Sequence, residues 1–193
     1  MTRGINVDHL DKAIAELAQP CSSFFKWEDL ILAGETARAH PEDNIPRQIQ
    51  TREALQSLAS LILDPIASEI SKPRLTYGLS CAGIVNRIAK RIAPAVDQHS
   101  SFECWSNGNR ICSLGGAAVD FFVEGRTASE VAVFVVETLP FDALYFYGDD
   151  RPIHVSWSQT PRNVAVEMKF NAAHQRYFPV RRTPKRFLEL HGR

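Results

Sequence analysis

The stretch AAVDFFVEGRTASEVAVFVVETLPFDALYFYGDDRPIHVSW, residues 117–157, decides the fold that we expect for this chain. An apolar strand pattern over 118–123 is followed by a helix that begins at Thr127. The Thr127 hydroxyl can cap this helix, and a glutamate lies three residues later, as in a capping box. Strand patterns over 143–147 and 153–157 follow, joined by a turn rich in Gly, Asp and Pro. Two strands joined by so short a turn are expected to pair antiparallel.

Helical patterns dominate the chain before this stretch. Apolar residues recur at spacings of three and four over 7–17, 51–66 and 82–92. The longest of these helices is expected to be capped by Thr51 and to bend at Pro65, because proline cannot donate the helical hydrogen bond.

Hairpin and strand patterns complete the chain. Asn107-Gly108 is a favoured two-residue turn and predicts a hairpin over 102–114. Alternating apolar residues over 163–170 predict one edge strand, and the residues after it are expected to be extended. Helices followed by hairpin-linked strands are typical of the α+β class, here with an antiparallel sheet backed by helices.

The composition is that of an ordinary globular protein. The chain has 193 residues, 45% of them apolar, and fits one domain over 1–193. Its formal net charge is zero, so nothing global indicates nucleic acid or a membrane as a partner. Residues 161–193, however, hold eight Lys or Arg residues and two Glu residues. This basic C-terminal arm is expected either to bind an acidic partner or nucleic acid, or to pack as a solvated arm on the acidic remainder.

No targeting signal is visible in the sequence. There is no run of 18 apolar residues that would predict a membrane span, and the N-terminus lacks the apolar segment of a secretory signal. The four cysteines form no CxxC pair and are expected to be reduced. These features favour a cytoplasmic protein, with release by lysis as the route outward if the chain comes from a phage.

Three potential metal ligands lie in suitable local contexts. His99 follows a helix, Asp120 lies in the apolar strand pattern after a small-residue turn, and His154 lies in a later strand pattern. Two imidazoles and one carboxylate are a common catalytic zinc set, because they leave a coordination position open for water.

Structural interpretations of the same residues stay open. A lone histidine in a strand is more often a hydrogen-bonded core residue than a ligand. Asp120 is costly to bury alone, and pairing with Arg110 or Arg151 would satisfy it without a metal. Asp149-Asp150 is, on its own, an ordinary turn pair.

The order of short motifs resembles that of the zinc D-alanyl-D-alanine carboxypeptidase and hedgehog-type metallopeptidase superfamily, in its bacterial and phage branch. The resemblance covers residues 24–157 and implies the hedgehog/DD-peptidase-like fold, with a metallopeptidase-like core over 24–160. The matching motifs are Phe25–Leu30, Asn44-Ile45-Pro46, Leu63-Asp64-Pro65, Asn86, Gly116-x-Ala118-Val119-Asp120, Phe141–Leu144 and Ile153–Ser156.

The first departure from the family pattern concerns a metal ligand. The family has a histidine seven residues before the aspartate, where this chain has Ser113. His99 can take its place if the hairpin over 102–114 is an insertion, since a hairpin returns the chain to where it left. Cys112 is the alternative ligand, because a thiolate also binds zinc well. The expected zinc ligands are therefore His99, Asp120 and His154.

The second departure concerns the catalytic groups. The family places a carboxylate three residues before the last histidine, where this chain has Arg151; in one branch the carboxylate lies on the preceding strand, near Tyr147. The resemblance therefore assigns the general base to Asp150 first and to Asp149 second, with Arg151 as a group that could stabilise the oxyanion. The arginine that holds a substrate carboxylate in these carboxypeptidases has no counterpart after Gly78.

Two classes of function follow. The first is a zinc-dependent peptidase or amidohydrolase acting on a peptide such as a peptidoglycan stem. The second is a binding module on the same scaffold that has lost its catalytic base and contacts a protein or nucleic-acid partner. Metal content and hydrolytic activity separate the two.

Overall fold

The computed structural model of the protein describes residues 15–88 and 94–192. Six strands form one sheet, with helices packed against one of its faces. The helices are α1 (Trp27–Ile31), α2 (Glu35–Ala39), α3 (Ile49–Leu58), α4 (Asp64–Glu69), α5 (Ala82–Arg87), α6 (Ala128–Thr138) and α7 (Pro184–His191). The strands are β1 (Arg74–Tyr77), β2 (Ala117–Phe122), β3 (Ala143–Phe146), β4 (Ile153–Trp157), β5 (Val164–Asn171) and β6 (Arg176–Arg182). A π-helical segment, Ala59–Leu63, joins α3 to α4, and short 3-10 turns span Pro41–Asp43, Pro94–Val96 and Gln98–Ser100.

The sheet is mixed, in the order β1-β2-β4-β3-β5-β6. The expected α+β class is confirmed, and β3 and β4 pair antiparallel as predicted. The expectation of an antiparallel sheet is wrong at one pair, because β5 lies parallel to β3. The predicted edge strand over 163–170 is therefore an interior strand, and β6 forms the edge.

An ion pair between the half-exposed Arg162 and the buried Asp142 holds the crossing from β4 to β5. Asp142, 1% exposed, accepts hydrogen bonds from the backbone N–H and the guanidinium of Arg162, and its carbonyl accepts from Val164 N–H. Burial would raise the pKa of Asp142, but the hydrogen bonds from Arg162 outweigh it and lower that pKa. This contact holds the chain against the far side of β3, so that β5 starts in the parallel direction.

The C-terminal residues are part of the sheet. Residues predicted as a basic arm form β5, β6 and α7, and Phe187 of α7 lies in the core. Glu167, 7% exposed, binds Arg182 at 2.6 Å and His191 at 2.9 Å. Burial would raise the pKa of Glu167, but these two hydrogen bonds lower it. Arg182 of this segment is therefore paired with a buried carboxylate inside the fold.

Of the two helix caps predicted from local sequence, one is present and one is not. Thr127 and Glu130 form the expected capping box at the start of α6. Thr51, by contrast, does not cap a helix, because α3 begins two residues earlier and buries this side chain. The bend expected at Pro65 takes the form of the π-helical segment before it, whose wider turn accommodates the proline ring and the missing N–H.

Three other predicted elements differ in extent. The helix expected over 82–92 ends at Arg87, and Ile88 is already extended; 89–92 lie outside the described residues. Only 15–17 of the helix expected over 7–17 are described, and they are helical. The hairpin over 102–114 is present and closed by the bridge Cys104–Arg110, but its turn is not the predicted two-residue one. The loop has three residues, 106–108, because Trp105 N–H donates to the Asn109 carbonyl, and Gly108 ends it at a φ of 84°.

The side-chain amide of Asn44 joins three segments beneath the sheet edge. Its amide nitrogen donates to the carbonyls of Ile31 and Leu79, and its oxygen accepts from Cys81 N–H. The residue is fully buried. An unpaired buried polar group costs about 1–3 kcal/mol, so these contacts hold the residues around Leu79 in place.

We expect Asn44→Ala to lower the free energy of unfolding by about 3 kcal/mol, because it leaves one N–H and two carbonyls buried without their partner. Chemical denaturation measures this loss. Thr51→Val is the control: the Thr51 hydroxyl is buried and has no hydrogen-bond partner within the described residues, so its removal should leave stability unchanged or raise it. Equal losses for the two variants would contradict this account.

Candidate metal centre

The three predicted ligands lie together on the face of the sheet opposite the main core. Asp120 of β2 and His154 of β4 are direct antiparallel partners, and His99 lies in the 3-10 turn Gln98–Ser100. The Asp120 Oδ1 atom is 2.8 Å from His154 Nδ1 and 3.2 Å from His99 Nε2. One ligand atom from each residue lies within 4.8 Å of the others.

Strand register places Asp120 beside His154. Side chains alternate between the faces of a strand, so Val119 and Val155 point into the core while the two polar residues point away from it. Directly opposed side chains of an antiparallel pair have Cβ atoms about 5 Å apart. A shift of either strand by one residue would turn its polar side chain into the core. Burial of the apolar residues of β2 and β4 therefore fixes the pairing of Asp120 with His154.

Backbone contacts place His99. The Asp97 carboxylate accepts the His99 N–H, and the His99 carbonyl accepts Ser80 N–H. The His99 Nδ1 atom lies 2.8 Å from the carbonyl oxygen of Gly78. Glycine is needed at position 78 because a Cβ there would overlap the carbonyl oxygen of Leu30, so the residue that holds His99 lies directly against α1.

The contacts of His99 leave its Nε2 atom facing Asp120. A carbonyl only accepts hydrogen bonds, so we assign a proton to Nδ1; Nε2 then either donates a second proton to the Asp120 carboxylate or turns a lone pair toward it. Two acceptors at 3.2 Å repel each other unless a cation or a further proton lies between them. A histidine that donates one nitrogen to a backbone carbonyl is the usual arrangement of a metal-binding imidazole. The donor set therefore fits a divalent ion.

Asp120 is held in its ionised form. Burial would raise the pKa of Asp120, but the charge interaction with His99 and hydrogen bonds from His154 and His99 keep that pKa well below its usual range. The alternative pairing with Arg110 or Arg151 does not occur. Within the described residues, the ion pairs of Asp120 are with the two histidines alone.

The three ligands open onto a cavity of about 270 Å³. Three tyrosines, Tyr77, Tyr145 and Tyr147, line it together with Asp97. The Tyr145 ring lies 5.1 Å from that of His154, edge to face. Burial first, and then the charge of Asp120, raise the pKa of Tyr147 to about 12, so its hydroxyl stays protonated at neutral pH.

The predicted catalytic groups lie outside this cavity. Asp149 accepts the N–H of Ser129 at the start of α6, and Asp150 and Arg151 are exposed in the turn between β3 and β4. None of the three lines the cavity. Sequence reasoning missed Asp97 as a cavity carboxylate; its position two residues before His99, where it caps a short turn, was the available signal.

Cys112 is not part of the cluster. It is fully buried, and burial raises the pKa of its thiol. The described residues contain two groups able to hold a metal, and Cys112 belongs to neither. The second group, His40, Glu42 and Asp43, is more open to solvent, and Asp43 is already paired with Arg87 at 2.6 Å.

A larger cavity, of about 570 Å³, lies between α1 and β1. Phe25, Arg38, Lys72 and Arg74 are among its lining residues, but none of the metal ligands is. The smaller cavity is therefore the candidate functional site. No helix within residues 15–88 and 94–192 combines the length and apolar character needed to cross a bilayer.

No protein-family model, no curated protein and no solved structure matches this chain. The geometry of the site is therefore the basis on which a function is inferred.

Proposed function

We propose that the protein is a zinc-dependent peptidase or amidohydrolase, with a peptide such as a peptidoglycan stem as its substrate. The convergence of His99, Asp120 and His154 at the wall of an open cavity carries this proposal. Two imidazoles and one carboxylate suit zinc and leave a coordination position toward the cavity. When bound, zinc polarises an amide carbonyl and lowers the pKa of a coordinated water to about 7.

The chain itself supplies the proton transfers. Besides Asp120, Asp97 is the one carboxylate among the described residues that line the cavity, and we assign it the role of general base. Tyr147 lines the same cavity with a protonated hydroxyl, which can donate a hydrogen bond to the developing oxyanion. These assignments replace Asp150 and Arg151, which are exposed in their turn.

The second candidate function is a binding module on the same scaffold. It is favoured by two observations. Asp149 and Asp150 lie outside the cavity, and Tyr147, directly after β3, lies near the position where one branch of the resembled superfamily has a carboxylate. Elemental analysis of the purified protein, combined with an assay on muropeptides, separates the candidates. One zinc per chain with amide hydrolysis supports the enzyme, whereas binding of the same muropeptides without turnover supports the module.

We expect Asp97→Asn to lower kcat by about 100-fold or more while the zinc content stays at one per chain, because an amide cannot accept the proton. The asparagine oxygen can still accept the His99 N–H, so the turn is preserved. Single-turnover hydrolysis of a muropeptide measures the effect. Asp150→Asn is the matched control and should stay within about twofold of the unchanged protein; the reverse ranking would return the base to Asp150.

A further inference from the structure

A row of aromatic side chains extends from the cavity toward the sheet edge. The Tyr147 ring, which lines the cavity, lies 5.7 Å from the ring of Tyr177, and Tyr177 lies 5.2 Å from Phe170. Phe170 and Tyr177 are cross-strand partners in β5 and β6. They are 50% and 38% exposed, which is unusual for neighbouring large rings. We call Tyr147, Tyr177 and Phe170 the aromatic row.

Strand register puts the aromatic row on the same face as the metal ligands. His154 pairs with Tyr145, and Tyr145 pairs with Val166 of β5. Because alternate residues share a face, Phe170, four residues after Val166, lies on that face as well. Tyr177 pairs with Phe170 and follows it. Phe178, the next residue of β6, points to the other face.

The row crosses two strand spacings, from the end of β3 to β6, which is about 10 Å. The cavity, at about 270 Å³, is at the lower end of the size range of ligand pockets, about 300–1,000 Å³. The aromatic row is continuous with the cavity through Tyr147, so an elongated ligand held at the metal ligands would extend onto it.

Among the described residues, the charge on this face does not suit a polyanion. Arg182 pairs with the core residue Ala165 and so points to the opposite face, where Glu167 binds it. Arg186 lies on α7, which packs on that opposite face. Arg181 is the exposed cation that shares the face of Tyr177 on β6, and Asp97 and Asp120 line the cavity beside it. Nucleic-acid binding draws its affinity from several cations on the phosphates. A surface of exposed aromatic rings with little net charge among its described residues instead suits a neutral ligand. Such a ligand would have apolar faces and hydroxyl groups at its edges.

We propose that the aromatic row binds a neutral glycan strand. Sugar rings present C–H groups on their faces, which pack on the negative faces of aromatic rings, while the tyrosine hydroxyls can bond sugar hydroxyls. The strand crosses β5 and β6 and leads into the cavity. This inference depends on the proposed function only for its final part, that an amide carried by the strand reaches the metal centre.

Titration with chitotetraose, followed by amide NMR shifts, tests the proposal. We expect shifts around Phe170 and Tyr177, with binding weakened at least about fivefold by Phe170→Ala and by Tyr177→Ala. Phe178→Ala is the matched control: this ring is 40% exposed on the same strand but on the other face, and its loss should change binding less than twofold. Thermal unfolding checks that each variant is folded.

The same titration on zinc-free protein and on His154→Ala separates the two proposals. Chitotetraose binding that is unchanged in both would show that the aromatic row acts without the metal centre. An unaltered protein that binds chitotetraose but takes up no zinc and hydrolyses no muropeptide would support the aromatic row and overturn the proposed function. The glycan proposal is overturned if the unchanged protein shows no shifts at millimolar chitotetraose. It is also overturned if Phe178→Ala weakens binding as much as Tyr177→Ala, or if the row instead binds an oligothymidine or an apolar peptide.

Discussion

Replacement of His154 by alanine is expected to remove zinc from the protein and to abolish hydrolysis. The change takes away one of three ligands and leaves His99 and Asp120. Loss of an outer partner of a metal ligand already costs 10–100-fold in affinity, so loss of the ligand itself should cost at least about 100-fold. Elemental analysis after gel filtration, and a zinc titration against a chelating dye, measure the effect.

A thermal-unfolding series provides an independent measure of the same site. Zinc at about 1,000 times its dissociation constant stabilises a folded protein by about 4 kcal/mol, so added zinc should raise the Tm of the unchanged protein. His154→Ala should show no such rise. Cys112→Ala is the control, because Cys112 lies outside the cluster and should keep both its zinc and its Tm response. If zinc is lost in Cys112→Ala and kept in His154→Ala, the ligand assignment is wrong.

Gly78→Ala is expected to have the largest effect on folding. A Cβ at this position would overlap the Leu30 carbonyl oxygen, which also accepts Leu79 N–H. Relief requires the backbone to move, and overpacking against rigid backbone should cost about 3 kcal/mol or more. The same movement displaces the carbonyl that accepts the His99 proton, so zinc affinity should fall with stability.

Urea unfolding and zinc titration of the Gly78→Ala protein measure both effects. Gly125→Ala is the comparison variant: its φ of 73° makes alanine strained, but there is nothing within 4 Å of the added Cβ. It should therefore cost only about 1 kcal/mol and leave zinc affinity unchanged. A Gly78→Ala protein with normal zinc affinity would show that the Gly78 carbonyl does not orient His99.

Local signals in the sequence predicted what depends on neighbouring residues. The Thr127 capping box, the hairpin around Asn107-Gly108 and the β3–β4 pair are all set by contacts within a few residues, and all three are present. Asp120 and His154 were singled out in the same way, from strand patterns and the small-residue turn before Asp120, whereas His99 was chosen from its place after a helix and from the family resemblance.

Long-range contacts explain what the sequence did not predict. The parallel pairing of β5 follows from the buried contact between Asp142 and Arg162, 20 residues apart. Asp149 accepts a hydrogen bond from the N-terminus of α6, also 20 residues away, and so does not reach the cavity. Asp97 lines that cavity because its short turn packs beside β2, a neighbour that no local pattern reveals.

The position of β5 beside β3 also determines the order in which the strands can pair during synthesis. The pairs β1–β2, β2–β4 and β4–β3 involve only residues up to Trp157, so the strands that carry Asp120 and His154 can pair as the chain emerges, before β5 and β6 do. Until β5 arrives, the outer edge of β3 is unpaired and open to another chain. The β5–β6 hairpin therefore covers the edge of β3 last, after the strands that carry Asp120 and His154 have paired.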